Sequence, residues 1–134
     1  MFRLRVLGQL LRASGAIRIA AVAASTFWLA GCGPVAGASV PGGDSAHGAK
    51  LIGHLGCGAC HIIPGISQAE GLVGPPLDHF GRRMIIAGLL PNTPENLEAW
   101  LENPQAIVPG NAMPNMELKK DEARDIATYL YTLR

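Results

Sequence analysis

Aromatic side chains are scarce in this sequence, and so is the apolar bulk that usually builds a protein core. Only 5 % of the 134 residues are aromatic, whereas glycine (17) and proline (10) are frequent. Small domains with little core material often depend on a covalent or metal staple as well as on side-chain packing. The length predicts one such domain with an additional segment.

Acidic residues are absent from the first 31 positions, which carry four arginines. The formal net charge of +1 therefore hides an asymmetry along the chain. The remainder holds seven of the 11 Lys and Arg residues against all 10 Asp and Glu residues, a balance of −3. A mildly acidic domain is a poor match for nucleic acid, so we expect no nucleic-acid partner.

Residues 1–31 have the three-part pattern of an export signal. Arginines come first, a charge-free apolar run follows over 19–29, and small residues end the segment just before Cys32. The run is shorter than the roughly 20 residues that span a membrane and fits the about 7–15 of a signal-peptide core. We therefore predict a signal peptide over 1–31, with an uncleaved N-terminal anchor as the alternative.

The four residues LAGC at 29–32 resemble the bacterial lipobox, whose cysteine receives a diacylglycerol and becomes the new N-terminus. This resemblance predicts lipidation at Cys32, and an ordinary signal peptide with a spare cysteine is the alternative. An unpaired cysteine in an exported protein calls for such an explanation. Both alternatives place the mature protein outside the cytoplasm, and we expect it on the periplasmic side of a bacterial membrane.

A linker and a single head follow the signal. Residues 32–45 are almost entirely Gly, Pro, Ser, Ala and Val without helical or strand periodicity, which predicts a flexible tether. The head, residues 46–134, has no internal repeat. A short amphipathic helix is predicted near 47–56, and a region of loops and turns over 62–92.

Two further helices are predicted in the second half of the head. Thr93 and Pro94 suit the N-cap and first positions of a helix that Pro104 and Pro109 end. Residues 120–134 have the strongest helical pattern, with an apolar stripe, acids in the first turn and Arg134 at the end. No segment alternates like a strand, so we predict an all-α domain.

The head carries a CxxCH motif at Cys57, Cys60 and His61. A structural zinc site needs four ligands, usually from two cysteine pairs, and there is no second pair. A thioredoxin-like redox pair belongs in a βαβ unit, which this head lacks. Covalent haem attachment remains, because two such cysteines can bond the haem vinyl groups while the following histidine ligates iron. A plain disulfide is the alternative.

A haem that transfers electrons needs a second axial ligand. A methionine thioether favours ferrous iron and raises the reduction potential. Met113 lies in a stiff proline-containing loop and is favoured over Met116, whereas Met84 is predicted to pack. The remaining histidines are expected at the surface or in turns; they are His47, His54 and His79.

Over 48–133 the head resembles a class I cytochrome c. The resemblance rests on CGACH at 57–61, Gly74-Pro75, WLENPQAIVPGNAM at 100–113 and IATYL at 126–130. It implies an all-α fold in which the N- and C-terminal helices cross around one covalently bound haem c. It also selects Met113 as the second axial ligand.

The resemblance implies further roles at the site. The Pro75 carbonyl would accept the second N–H of His61, Trp100 would lie against the haem on the methionine side, and Asn111 would lie near a propionate. Arg82, or its neighbour Arg83, would neutralise a propionate, although the FGRR spacing departs from the commonest pattern.

The resemblance also implies how the terminal helices pack. Gly48 and Ile52 would contact Ile126 and Tyr129 at the crossing. Lys119 stands where relatives have a serine N-cap, so the last helix is expected to be less well capped.

The predicted function is one-electron transfer by a single-haem cytochrome, not catalysis on a substrate of its own. The expected partners are redox proteins: a terminal oxidase, a quinol–cytochrome c reductase or a periplasmic dehydrogenase. Two alternatives remain, a fixed haem subunit of a larger membrane complex and a ligand-binding or peroxidase-like haem protein.

Overall fold

The computed structural model describes residues 40–134, which include the whole predicted head. The predicted signal peptide, most of the tether and Cys32 lie outside the described residues. Four α-helices are present in the described part: α1 (Ser45–His54), α2 (Pro94–Glu102), α3 (Pro104–Ile107) and α4 (Lys120–Thr132). Two 3-10 turns at Cys57–Ala59 and Phe80–Arg82 and one small hairpin complete the architecture, which is mostly helical as predicted.

The two terminal helices, α1 and α4, form the most extensive contact between helices of the head. Gly48 lies at their crossing, where a Cβ atom would stand 2.5 Å from the carbonyl carbon of Asp125 and 3.0 Å from the nitrogen of Ile126. Only glycine allows two backbones to approach this closely. Tyr129 was also expected near this contact, and its hydroxyl donates to the Pro64 carbonyl at 2.7 Å.

Helix α1 begins at Ser45, two residues before the predicted start, because Asp44 caps it. The Asp44 carboxylate accepts the backbone N–H of Ala46 at 2.8 Å and that of His47 at 3.1 Å. The backbone N–H of Asp44 in turn donates to Asp125 Oδ1 on α4 at 2.8 Å. One aspartate therefore starts the first helix and ties it to the last.

Helices α2 and α3 meet at Asn103. Thr93 caps α2 as predicted, accepting the backbone N–H of Asn96 at 3.3 Å, and Pro94 is the first helical residue. Pro104 was expected only to end this helix, and it also begins α3, because the Asn103 side chain accepts the Ala106 N–H at 3.0 Å. Proline tolerates this first position because its missing N–H would have no helical partner there.

The start of α4 compensates for the missing serine cap. Lys119 offers no side-chain acceptor, but its backbone N–H donates to Glu122 Oε2 at 2.9 Å. Asp121 and Glu122 also place negative charge in the first turn, where the helix dipole favours it. The helix ends at Thr132, two residues before the predicted end at Arg134.

A small antiparallel hairpin lies within the region predicted as loops. Strands β1 (Ile85–Ile86) and β2 (Leu90–Pro91) pair with Ile86 opposite Leu90. Ala87 (φ 52°) and Gly88 (φ 71°) both adopt left-handed backbone in the connection. The sequence gives little sign of this turn, because alanine rarely adopts positive φ and two-residue strands show no alternation.

The buried core surrounds the space between the terminal helices, α2 and the first 3-10 turn. Among its most buried side chains are Ile52, Ile63 and Leu97. Within residues 40–134 no helix combines the length and the apolar character needed to cross a membrane.

Candidate haem site

The described head contains a large cavity of about 490 Å³ that is partly open to solvent and lined mainly by apolar side chains. This volume falls within the range of roughly 300–1,000 Å³ that is typical of cofactor and ligand sites. Many core residues also form its wall; they are Ile52, Ile63, Phe80, Ile86, Leu97, Leu101, Ile126 and Leu130. The core of the head is therefore built around this cavity.

The CxxCH segment forms part of the cavity wall. Gly56 adopts left-handed backbone (φ 73°) and turns the chain from α1 into the 3-10 turn at Cys57–Ala59. The Cys57 carbonyl then accepts the backbone N–H of Cys60 at 3.2 Å and of His61 at 3.1 Å. This tight turn brings both thiols and the imidazole to the same cavity.

The two cysteine thiols are free, so the plain disulfide alternative is not what the structure shows. Burial raises the pKa of Cys57 above its ordinary value, and the neighbouring Cys60 adds to the increase, while a backbone hydrogen bond opposes it. Cys57 is therefore a protonated, partly buried thiol at neutral pH rather than a reactive thiolate.

His61 is held in one tautomer. Its Nδ1 lies 2.7 Å from the Pro75 carbonyl oxygen, which can only accept, so Nδ1 carries the proton. In the neutral ring the lone pair is then on Nε2, and neutral imidazole is the form that binds a metal. The ring is also packed against Gly74, where a Cβ atom would stand 2.6 Å from Nδ1 and 2.8 Å from Nε2.

Met113 lines the same cavity and is partly buried, as a soft second ligand to iron would be. Met116 also lines the cavity, so the wall itself does not choose between the two. Met84 is not part of the wall, and it is 81 % exposed rather than packed as predicted.

Asn111 lines the cavity, but the polar atoms of its side chain are hydrogen-bonded to backbone groups of the neighbouring chain. Its Nδ2 donates to the carbonyls of Pro104 at 3.0 Å and Val108 at 2.7 Å. Its Oδ1 accepts the backbone N–H of Met113 at 2.8 Å. Both amide hydrogens are therefore engaged, and Asn111 has no side-chain donor left for a carboxylate such as a propionate.

The structure separates the two candidate arginines. Arg83 lines the cavity, donating to the carbonyls of Pro76 and Asp78, with its guanidinium carbon 5.3 Å from the Phe80 ring centre. Arg82, the residue chosen from the sequence, is exposed and is not part of the wall. The 3-10 turn ends at Arg82, whereas Arg83 has an extended backbone conformation (φ −71°, ψ 145°), so the two side chains leave the chain in different directions.

The other predicted residues divide between the cavity and the surface. Pro75 and Trp100 line the cavity. His47, His54 and His79 do not, and all three are exposed residues. Sequence reasoning did not single out Gln105, which contacts the Met113 loop through its side chain, because no motif marks a lone glutamine.

The residues present fit a covalently bound haem. The cavity is apolar and large, two unbonded thiols stand three residues apart on its wall, and a histidine of fixed tautomer follows them. A thioether on the same wall completes a His/Met donor set. No other part of the described head combines these features.

Crossed terminal helices around such a cavity define a class I c-type cytochrome. The sequence model of the family described as Cytochrome c matches residues 45–134, and the chain belongs to this family. The match bears out both the predicted family and the predicted fold, and it indicates a covalently bound c-type haem.

Curated relatives include cytochrome c oxidase subunit 2 of Alkalihalophilus pseudofirmus, which is 35 % identical over 88 residues. The protein of the same description from Bacillus subtilis is 35 % identical over 86 residues. These matches cover 65 % and 63 % of this chain, but only 25 % and 24 % of the relatives. The chain thus spans about a quarter of the length of the curated relatives that it matches.

Proposed function

We propose that this protein is a single-haem electron carrier, with Cys57 and Cys60 as attachment sites and His61 and Met113 as axial ligands. One observation carries the proposal: two free thiols, a tautomer-fixed imidazole and a thioether all line one apolar cavity. A haem bound there supplies reversible one-electron chemistry.

The chain's own residues determine how well such a carrier works. The Pro75 carbonyl orients the His61 ring by accepting a hydrogen bond from Nδ1, so that Nε2 is the nitrogen available to bind iron. Apolar side chains of the wall exclude water, which reduces the solvent rearrangement that accompanies a change of charge. Arg83 contributes a positive charge at the wall, which suits it to balance an acidic group of the cofactor; Arg82 remains the alternative from the sequence.

The ligand assignment is tested by optical spectra of protein matured with c-type haem machinery. We expect a covalent haem spectrum with a methionine–iron charge-transfer band in the near infrared. Met113→Ala should lose this band and bind carbon monoxide readily in the ferrous state, whereas Met116→Ala, a matched change on the same wall, should keep the band. A band that survives in Met113→Ala would refute the assignment.

We propose a terminal oxidase as the electron acceptor. The support is the similarity to proteins described as cytochrome c oxidase subunit 2, about a quarter of whose length matches this chain. Reduced protein should be reoxidised by oxidase-containing membranes, and the rate should saturate with protein concentration. A periplasmic dehydrogenase or a quinol–cytochrome c reductase would serve as the donor.

The same similarity favours one alternative, a fixed haem subunit of an oxidase complex. Extraction in mild detergent followed by size separation distinguishes the two roles. A carrier should be released alone, whereas a fixed subunit should migrate with its complex.

We further propose the division of the chain into a signal peptide (1–31), a tether (32–45) and the haem head (46–134), with a lipid on Cys32. The LAGC sequence and the preceding apolar run support it. A radioactive fatty acid fed to the cells should label the wild type, and Cys32→Ala should lose the label and keep the mass of the uncleaved precursor. A wild type without label would contradict lipidation at Cys32.

A further inference from the structure

The loop that carries Met113 has almost no backbone hydrogen bonds of its own. Within the described residues, the stretch 109–118 makes a single backbone–backbone hydrogen bond, from Asn111 N to the Val108 carbonyl at 3.2 Å. A segment of this kind is expected to be mobile, because little fixes its dihedral angles. Yet a thioether is a weak ligand that needs its sulfur held in place.

Gln105 supplies part of the missing bonding from the short helix α3. Its Nε2 donates to the carbonyl of Asn111 at 3.0 Å and to that of Met113 at 2.8 Å. Its Oε1 accepts the backbone N–H of Gly110 at 3.1 Å. Three backbone groups of the loop are thus bonded to one side chain, and both of its amide hydrogens are used.

Asn111 supplies the rest from within the loop. Its amide bonds Pro104 and Val108 on one side and the N–H of Met113 on the other. Met113 is therefore held at its backbone N–H by Asn111 and at its carbonyl by Gln105. Pro104, which begins α3, is fully buried and gives this arrangement a rigid base.

We propose that Gln105 and Asn111 form an amide clamp that positions the Met113 sulfur for ligation and keeps the iron closed to other ligands. Neither residue touches the sulfur, so both are positioning residues that act through the Met113 backbone. The inference rests on the proposed ligation by Met113. It assigns Asn111 to the loop rather than to a propionate.

The test uses the full haem-containing protein and the variants Gln105→Leu, Gln105→Glu and Asn111→Asp. Gln105→Glu and Asn111→Asp keep the size of the side chain and remove its amide donors. The matched control is Asn96→Ala, which removes one amide donor to the carbonyl of Pro91 far along the chain from Met113. Imidazole is the probe, because it binds ferric iron only after the thioether has left.

We expect each clamp variant to bind imidazole at least tenfold more tightly than the wild type, which corresponds to about 1.4 kcal/mol. The methionine–iron band should disappear at a lower temperature than the far-ultraviolet helix signal in these variants. In the wild type and in Asn96→Ala the two signals should disappear together. If these residues had only a structural role, the variants would lose both signals at the same, lower temperature and would bind imidazole with unchanged affinity.

The proposal is overturned if clamp variants bind imidazole within twofold of the wild type and keep parallel melting. That result, together with a band that Met113→Ala abolishes, would refute the clamp and leave the electron-carrier function standing. A wild-type protein without the band would overturn both. If Gln105→Leu and Gln105→Glu change imidazole affinity by similar factors, the effect comes from the lost hydrogen bonds and not from the negative charge that glutamate adds.

Discussion

At the scale of single residues, the site depends on glycines at which a side-chain Cβ atom would clash with neighbouring atoms. Gly74 is one of them, since its Cα faces the His61 ring with no room for a Cβ atom. Its backbone N–H also donates to the Cys60 carbonyl at 2.8 Å, which fixes the glycine against the CxxCH turn. The contact places the Pro75 carbonyl where it can orient the imidazole.

Gly74→Ala should therefore disturb His61, the proposed haem ligand, rather than the helices. The methyl group would push the His61 ring away from the Pro75 carbonyl and lower the free energy of unfolding by about 1–3 kcal/mol. We expect a several-fold lower yield of covalently attached haem and a lowered reduction potential, measured by absorption and redox titration. Gly53→Ala, where a Cβ atom would meet only Ile66 Cγ2 at 4.0 Å, is the matched control. Equal haem yield in both variants would contradict the prediction.

At the scale of secondary-structure elements, the head depends on the crossing of α1 and α4. Two features stabilise this crossing. The first is the close approach of the two backbones at Gly48. The second is the carboxylate of Asp125, which accepts hydrogen bonds from the backbone N–H of Asp44 at 2.8 Å and from His47 Nδ1 at 2.8 Å. The first is steric and the second electrostatic, so they can be tested separately.

Gly48→Ala and Gly53→Ala form a matched pair within α1. Alanine is favoured over glycine in a helix by about 0.8–1 kcal/mol. At Gly53 the methyl group has room, so this variant should be more stable than the wild type. At Gly48 it would meet the backbone of Asp125, and the overpacking of about 1–3 kcal/mol should outweigh the gain. Chemical denaturation of the haem protein gives both values, and equal changes would refute a close crossing.

Asp125 should make the stability of the head depend on pH in the acid range. The hydrogen bond from Asp44 N and then that from His47 lower the pKa of this carboxyl below its ordinary value. A lowered folded-state pKa stabilises the fold above the unfolded value of about 3.9. That contribution is lost as the pH falls through the lowered value. Asp125→Asn should cost about 1–2 kcal/mol at pH 7.

The difference between the wild type and Asp125→Asn should shrink as the pH falls below about 4. Glu70→Gln removes an exposed negative charge and should change stability little at either pH. Denaturation curves at pH 7 and pH 3 measure the effect. A pH-independent difference would show that shape, rather than charge, matters at this position.

The elements also show what the sequence could predict. Spacing identified the CxxCH segment, a local cap identified α2, and an apolar stripe with acids in the first turn identified α4, because these signals reside in neighbouring residues. Gln105 carries no such signal, since its importance comes from a loop whose path depends on the folded chain. Arg82 and Arg83 could not be told apart, because the backbone angle at the end of a 3-10 turn separates them.

At the scale of the whole molecule, most of the core side chains also line the proposed cofactor site. Ile52 from α1, Leu97 from α2 and Ile126 from α4 are buried in the core and line the cavity. The scarcity of aromatic residues noted in the sequence has its counterpart here, because the crossed helices also border a large cavity that their own side chains do not fill. The bound cofactor must supply the contacts that large side chains supply elsewhere.

Haem removal should therefore unfold the head rather than merely inactivate it. Without haem, the apolar side chains around a cavity of about 490 Å³ lose their packing partner. A small domain has only about 5–15 kcal/mol of net stability to offset such a loss. The double variant Cys57→Ala/Cys60→Ala, produced without attached haem, should show residual helix and no cooperative unfolding. A sharp thermal transition with native near-ultraviolet dichroism would mean that the side chains alone specify the fold.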